Sequence, residues 1–383
     1  MTSDLILVDR SRSVTDWSCG RKRYFNYEYD EKGLTPLDAA EALAMGIIIH
    51  DSLAQIAREH LEHPDAVDID TIASRAQIDA YNFFMKNESP LNSDWESKHT
   101  DASEQSARIE GILRGFYQYL WPIMMKQYPK ILAIEQEMPY TYHSILYMTK
   151  PDLVVVNTEG EVVYIEYKST SNNSAEWISS WDTAIQVHST TRAIEHALGE
   201  KISHVVVQGL FKGTESWGKQ GSPFCYAYKR SGTPPFSQDS TIYEYKPGYK
   251  RFPVWEIPGG VKEWVANMPE TVLRDQFPRT PAIFVNDDQV EQFFDQRNVR
   301  EQEIRMAMEM LRNESDEGVR RAILNTSFPQ KFDQCSPSYR KGQTCPYKML
   351  CFGDIQSPLT SGFVYRTPHH AIELEGQHED ICI

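Results

Sequence analysis

The hydrophobic period changes sharply between residues 131 and 211, and this change limits the fold more than any other feature of the sequence. Residues 131–140, 146–156 and 161–169 are rich in Val, Ile and Tyr, as expected of three consecutive strands. The link Asn157-Thr-Glu-Gly160 is typical of a tight turn between the last two strands. A helical pattern at 176–198 and an apolar strand at 204–211 follow. The predicted order is three strands, a helix and a strand.

The first third of the chain is predicted to be helical. Thr35 offers an N-cap hydroxyl and Pro36 suits the first helical position, so we predict a helix from there to about residue 62. Helical patterns recur at 72–84 and 103–128, and a charged helix is expected at 290–313.

Length and charge limit the kinds of protein that this chain can be. With 383 residues it can bury a core without disulfides, and its net charge of -15 argues against binding nucleic acid by bulk electrostatics. The start of the sequence lacks the pattern of a signal peptide, and no apolar run is long enough to span a bilayer. We therefore expect a cytoplasmic protein whose cysteines are reduced.

Two carboxylates and a lysine are predicted to meet on neighbouring strands. Side chains alternate along a strand, so Glu166 and Lys168 share a face, and the neighbouring hairpin strand can bring Asp152 beside them. Such a group suits phosphodiester hydrolysis, because carboxylates hold Mg²⁺ or Mn²⁺ and a lysine can orient or deprotonate the attacking water. An isolated Glu-x-Lys would more often be a pair of solvent-facing charges.

The sequence around these residues is more specific than the pair alone. Pro151-Asp152, a tight turn and Ile165-Glu166-Tyr167-Lys168, framed by helices, resemble the PD-(D/E)xK nuclease superfamily. The resemblance implies an α/β fold with a restriction-endonuclease-like core, in which helices flank a mixed central sheet. It also implies that Asp152, Glu166 and the Tyr167 carbonyl bind Mg²⁺ or Mn²⁺, that Lys168 assists the attacking water, and that DNA is the substrate.

A histidine on the first predicted helix is a further candidate metal ligand. One stripe of that helix contains Leu43, Ile47, His50, Leu53 and Ala57. Taken alone, His50 would be a hydrogen-bonded core histidine. However, the spacing Gly46-x-x-x-His50 is similar to the RecB-like branch, which implies that His50 binds the metal and that Gly46 lets the helix approach the sheet. A nitrogen ligand would favour Mn²⁺.

Two other residues match that branch less completely. Glu135 matches a strand glutamate of the branch but is equally plausible as an exposed strand acid, so no catalytic role is assigned to it. Gln186 fits the Gln of a Gln-x-x-x-Tyr helix motif and is included among the predicted catalytic residues. The chain has Thr190 where the motif has Tyr, which weakens the expected role of this helix in positioning the substrate.

Four cysteines form a second candidate site. Cys335, Cys345 and Cys351 lie in one segment and Cys19 lies far upstream, and four thiolates suit an iron-sulfur cluster or a structural zinc. One cysteine before the nuclease core and three after it resemble AddB-type and CRISPR-associated iron-sulfur exonucleases. By that resemblance all four would bind a 4Fe-4S cluster that joins the chain ends. The gap between Cys335 and Cys345 departs from the usual pattern.

The expected organisation is one nuclease domain over residues 1–356, with an insertion at about 213–260 and a weakly ordered tail at 357–383. The resemblance implies a DNA exonuclease of DNA processing, recombination or repair, which could work with a helicase or a recombinase. The alternative is a DNA-binding or scaffold module that keeps the fold but does not cut.

Overall fold

The computed structural model describes eleven stretches of the chain. They are residues 5–36, 41–64, 66–86, 95–170, 174–181, 184–212, 223–229, 243–244, 250–335, 345–353 and 357–367. The strands are β1 Ile6–Asp9, β2 Leu34–Pro36, β3 Lys130–Ile134, β4 Met138–Tyr142, β5 Ile145–Thr149, β6 Leu153–Val156, β7 Val162–Thr170, β8 Ile202–Phe211, β9 Tyr226–Lys229, β10 Tyr243–Glu244, β11 Lys250–Pro253 and β12 Phe363–Tyr365.

Helices precede, connect and follow these strands. They are α1 Arg10–Ser18, α2 Gly20–Arg23, α3 Glu41–Glu62, α4 Ile69–Lys86, α5 Trp95–Gly115, α6 Trp121–Gln127, α7 Ala175–Ser179, α8 Ile185–Leu198, α9 Gly260–Ala266, α10 Glu270–Asp275, α11 Asp287–Asn313, α12 Glu317–Ser327 and α13 Lys348–Cys351. The π-helical turns are Tyr24–Glu28 and Phe116–Leu120, and the 3-10 turns are Tyr29–Glu31, Val254–Glu256, Phe332–Gln334 and Pro358–Thr360. No helix among the described residues is long and apolar enough to cross a membrane.

A mixed four-stranded sheet lies at the centre, in the order β3-β6-β7-β8. The pairs β3/β6 and β6/β7 are antiparallel, and β7/β8 is parallel because α7 and α8 carry the chain back to the same end of the sheet. Helices α3 to α6, α9 and α10 bury one face, and α8 packs on the other. The expected mixed sheet flanked by helices is therefore present.

A second sheet explains why two predicted strands were too long. Residues 131–140 form β3 and β4, and residues 146–156 form β5 and β6, so each predicted strand is divided between the central sheet and a sheet of order β1-β5-β4. The first break is at Glu135, whose φ of 46° is a left-handed conformation that strands do not use. The second break contains Pro151, which cannot donate to a ladder.

Two of the predicted helix boundaries are wrong. Thr35 and Pro36 belong to β2, which pairs with β12, and residues 37–40 lie outside the described part. The predicted helix at 176–198 consists of α7 and α8. The stripe predicted for α3 is only partly buried, because Ile47 is 53% exposed whereas Leu53 and Ala57 are in the core.

The described parts of the insertion and the tail contain regular structure that the sequence did not predict. Described parts of the insertion form the antiparallel sheet β10-β9-β11, and Phe224 packs against α5 in the main core. Within the predicted tail, residues 363–365 form β12, which pairs with β2. Residues 368–383 lie outside the described part of the chain.

Buried ion pairs connect the first two helices to α11. Arg23 contacts Glu301 at 3.0 Å, and Arg297 contacts Asp16 at 2.9 Å and Glu301 at 3.2 Å. All four side chains are almost completely buried, so removing one charge would leave its partners uncompensated in a poorly solvated site.

Candidate metal centre

The two motif carboxylates lie where β6 and β7 separate. The ladder ends at Leu153 opposite Ile165, which makes Asp152 and Glu166 the next opposing residues. Asp152 Oδ2 accepts a hydrogen bond of 2.6 Å from the backbone N–H of Tyr167. The side chain thus replaces the backbone carbonyl that a continued strand would have offered to this N–H. Asp152 is 8% exposed and Glu166 is 3% exposed. The end of the ladder therefore holds two carboxylates in a buried position.

Three donors surround the Glu166 carboxylate. Lys168 and Tyr164 make short hydrogen bonds to its Oε1 and Oε2 respectively. Arg10, the first residue of α1, approaches Oε1 at 3.4 Å. These contacts hold the pKa of Glu166 below its ordinary value, although burial alone would raise it. Glu166 is therefore ionised at neutral pH.

A histidine and two carboxylates from three different elements form the group best placed to hold a metal ion. His50 of α3, Glu135 after β3 and Asp152 before β6 each offer a ligand atom, and these atoms lie within 4.8 Å of one another. His50 Nδ1 is 2.9 Å from Asp152 Oδ1 and 3.9 Å from Glu135 Oε1. Lys150 also contacts Glu135, at 2.9 Å. Oxygen ligands with one imidazole suit Mg²⁺ or Mn²⁺.

The electrostatics of this group favour added positive charge. Burial disfavours the charged imidazole, but the charge and hydrogen bond of Asp152 raise the pKa of His50 to about 10. Burial and Glu166 raise the pKa of Asp152. Burial would also raise the pKa of Glu135, yet His50 and Lys150 lower it to about 2. A divalent cation bound between these groups would supply the positive charge that the carboxylates otherwise favour on His50.

Lys168 lies beside the carboxylates in a buried position. Burial lowers its pKa from the ordinary value, Arg10 adds to that effect, and Glu166 opposes it. Its Nζ also lies 5.8 Å from the centre of the Trp181 ring. A lysine with a lowered pKa is suited to exchange a proton with water.

The chain also matches a known protein family. The family model of the PD-(D/E)XK nuclease superfamily matches residues 17–352, which is most of the chain. The chain belongs to the PD-(D/E)XK nuclease superfamily. Membership indicates a metal-dependent nuclease with DNA as its substrate. A search of curated proteins finds no match.

Other predicted features of the superfamily site have different outcomes. The side chain of Gln186 lies outside the described part of the chain. Thr190 is buried and its hydroxyl lies 3.2 Å from that of Thr149. The space assigned to Gly46 is not required, because a Cβ there would lie 3.6 Å from Ser169 Oγ, an ordinary contact.

Two residues at the candidate centre are not assigned to it by the sequence. Glu135 lies in the candidate metal-binding group because of the strand break that it makes. Arg10 gave no signal in the sequence, because it reaches the site only through the parallel pairing of β1 with β5.

The structure brings the four predicted cluster cysteines into one neighbourhood of the nuclease. Cys335 and Cys345 are joined by a backbone hydrogen bond of 3.0 Å, which closes the unusual gap between them. Burial and the nearby thiols of Cys345, Cys19 and Cys335 raise the pKa of Cys351 to about 11. Cys225 lies elsewhere, where its thiol donates a hydrogen bond to the backbone carbonyl of Glu104, and Cys382 lies outside the described residues.

Proposed function

We propose that this chain is a RecB-like, divalent-metal-dependent deoxyribonuclease that degrades DNA from an end. The observation that carries the proposal is the meeting of Asp152, Glu166 and Lys168 at the end of the β6/β7 ladder, with His50 and Glu135 beside them. In the superfamily to which the chain belongs, such a group performs phosphodiester hydrolysis.

The ligands proposed for the catalytic metal are His50, Asp152, Glu166 and the carbonyl of Tyr167. Glu135 joins this set because its Oε1 faces His50. A bound Mg²⁺ or Mn²⁺ acidifies water and neutralises charge on the phosphate. The protein's part is to hold these groups in position: the Tyr167 N–H donates to Asp152, and the Tyr164 hydroxyl donates to Glu166 and helps to lower its pKa.

Lys168 is the residue proposed to handle the proton. Its lowered pKa makes its amine better suited than an ordinary lysine to take a proton from the attacking water. The new P–O bond forms as the bond to the leaving sugar oxygen breaks, and that oxygen takes a proton from solvent water. Glu166 holds the lysine beside the reacting groups. Gln186 is proposed to position the substrate backbone from α8.

We propose that Cys19, Cys335, Cys345 and Cys351 bind a 4Fe-4S cluster. The four thiols lie close enough to influence one another electrostatically, and this convergence supports a shared metal site. Since Cys19 precedes the central sheet and the other three follow it, the cluster would join the two ends of the domain. Iron and acid-labile sulfide in anaerobically purified protein would test it, and zinc alone would refute it.

The proposed exonuclease would act in DNA processing, recombination or repair, and a helicase or a recombinase could supply its substrate. The alternative is a scaffold that binds DNA without cutting, which the net charge of -15 and Thr190 leave open.

End dependence is tested by offering linear and covalently closed circular single-stranded DNA of one sequence with Mn²⁺. We expect the linear DNA to be degraded and the circle to survive, and we expect Lys168→Gln to abolish degradation. Cutting of the circle would indicate an endonuclease. Binding without cutting of either DNA would favour the scaffold.

A further inference from the structure

We propose that Arg10 contacts the substrate in this centre, where its guanidinium binds the non-bridging oxygens of the phosphate that is cleaved. This inference rests on the proposed nuclease function. It assigns a binding role to a residue outside the Asp, Glu-x-Lys and histidine motifs.

The fold holds Arg10 at the site through its first strand. β1 pairs in parallel with β5, and Asp9 at its end lies opposite Met148. Asp9 then caps α1 by accepting a hydrogen bond of 2.7 Å from the backbone N–H of Arg12. Arg10 is the first residue of α1, so both contacts fix its backbone. Its Nη1 consequently approaches Glu166 Oε1, the same oxygen that accepts the hydrogen bond from Lys168 Nζ.

Contacts with the described residues occupy only part of the hydrogen-bonding capacity of the Arg10 guanidinium. Its one hydrogen-bond partner among the described residues is Glu166, at a long 3.4 Å, and its side chain is 40% exposed. The arginines with a structural role look different, because Arg23 and Arg297 are buried and each contacts two carboxylates. Arg10 therefore keeps donors directed at solvent beside the reacting groups.

Neutralising Glu166 does not account for Arg10. Lys168 and Tyr164 already donate to that carboxylate over shorter distances. A planar fork of N–H groups matches two phosphate oxygens, and a fixed cation next to a phosphoryl group stabilises charge that develops in the transition state. In a chain of net charge -15, such a local cation matters for holding a phosphate.

The test compares the variants Arg10→Gln and Arg10→Lys with the wild-type protein, all as full-length chains. For each protein, kcat and KM are measured on end-labelled linear DNA, and the affinity for Mn²⁺ is measured as well. Arg75→Gln is the matched control, because Arg75 is exposed and has one distant carboxylate partner, Asp79 at 3.9 Å. We expect Arg10→Gln to lower kcat at saturating Mn²⁺ by about 10²-fold or more, the usual effect of losing one oxyanion donor. Arg10→Lys should recover part of the loss, and Arg75→Gln should match wild type.

The Mn²⁺ titration separates a phosphate contact from a merely structural role. If Arg10 only balances Glu166, its loss changes Mn²⁺ affinity and saturating Mn²⁺ restores kcat, which would overturn the proposal. Should Arg10→Gln fail to fold by circular dichroism, Arg10→Lys decides, and an unchanged kcat there also overturns it. If the wild-type protein neither binds nor cuts DNA, that result would instead refute the proposed function and this inference with it.

Discussion

Replacing Asp152 should separate its structural from its chemical contribution. In Asp152→Ala, the Tyr167 N–H loses the acceptor at 2.6 Å and stays buried, because Tyr167 is only 4% exposed. Leaving a buried donor unsatisfied costs about 1–3 kcal/mol. In Asp152→Asn, the amide oxygen still accepts from Tyr167. We therefore expect Asp152→Ala to unfold about 1–3 kcal/mol more easily than Asp152→Asn.

Urea unfolding of both variants, followed by circular dichroism in EDTA, measures this difference without metal. Equal slopes against urea would show that the two unfolding transitions expose similar surface. Neither variant should bind Mn²⁺ normally, because each lacks the carboxylate charge. Equal unfolding free energies for the two variants would refute the role assigned to the Asp152–Tyr167 hydrogen bond.

Three further predictions concern stability. Gly46→Ala should raise the unfolding free energy by about 0.5–1 kcal/mol, because the methyl group has room and alanine favours a helix; a lower melting temperature would contradict this. Glu301→Gln should lower the free energy of unfolding, measured in urea, by about 3–5 kcal/mol, because Arg23 loses a buried counter-charge. A change under about 1 kcal/mol would show that this ion pair is dispensable. In metal-free protein, the raised pKa of His50 means that its pairing with Asp152 stabilises fully below about pH 6.5 and fades as the pH rises through about 10. His50→Gln should therefore cost more stability at pH 6 than at pH 10.5, and an equal cost at both would exclude that pairing.

The centre of the site could be predicted from the sequence because its geometry is local. Strand alternation places Glu166 beside Lys168, and one tight turn brings Asp152 opposite Glu166. Both relations depend on fewer than twenty residues of chain. The helices α4 and α11 were predictable for the same reason, since their apolar period is continuous.

The rest of the site depends on contacts between distant parts of the chain. Glu135 reaches its place because a left-handed residue ends β3, and no apolar pattern marks that break. Arg10 depends on the parallel pairing of β1 with β5, which joins residues more than a hundred positions apart. Thr35 and Pro36 have the local signature of a helix start, but pairing with β12 outweighs that preference.

Catalysis by the centre at Asp152 and Glu166 is tested most directly by Mn²⁺-dependent release of nucleotides from linear DNA, with wild-type protein and Asp152→Asn purified side by side under anaerobic conditions. We expect the wild type to release nucleotides until EDTA is added, and we expect no release by the variant, which should remain folded. Equal release by the two proteins would show that hydrolysis does not use this centre.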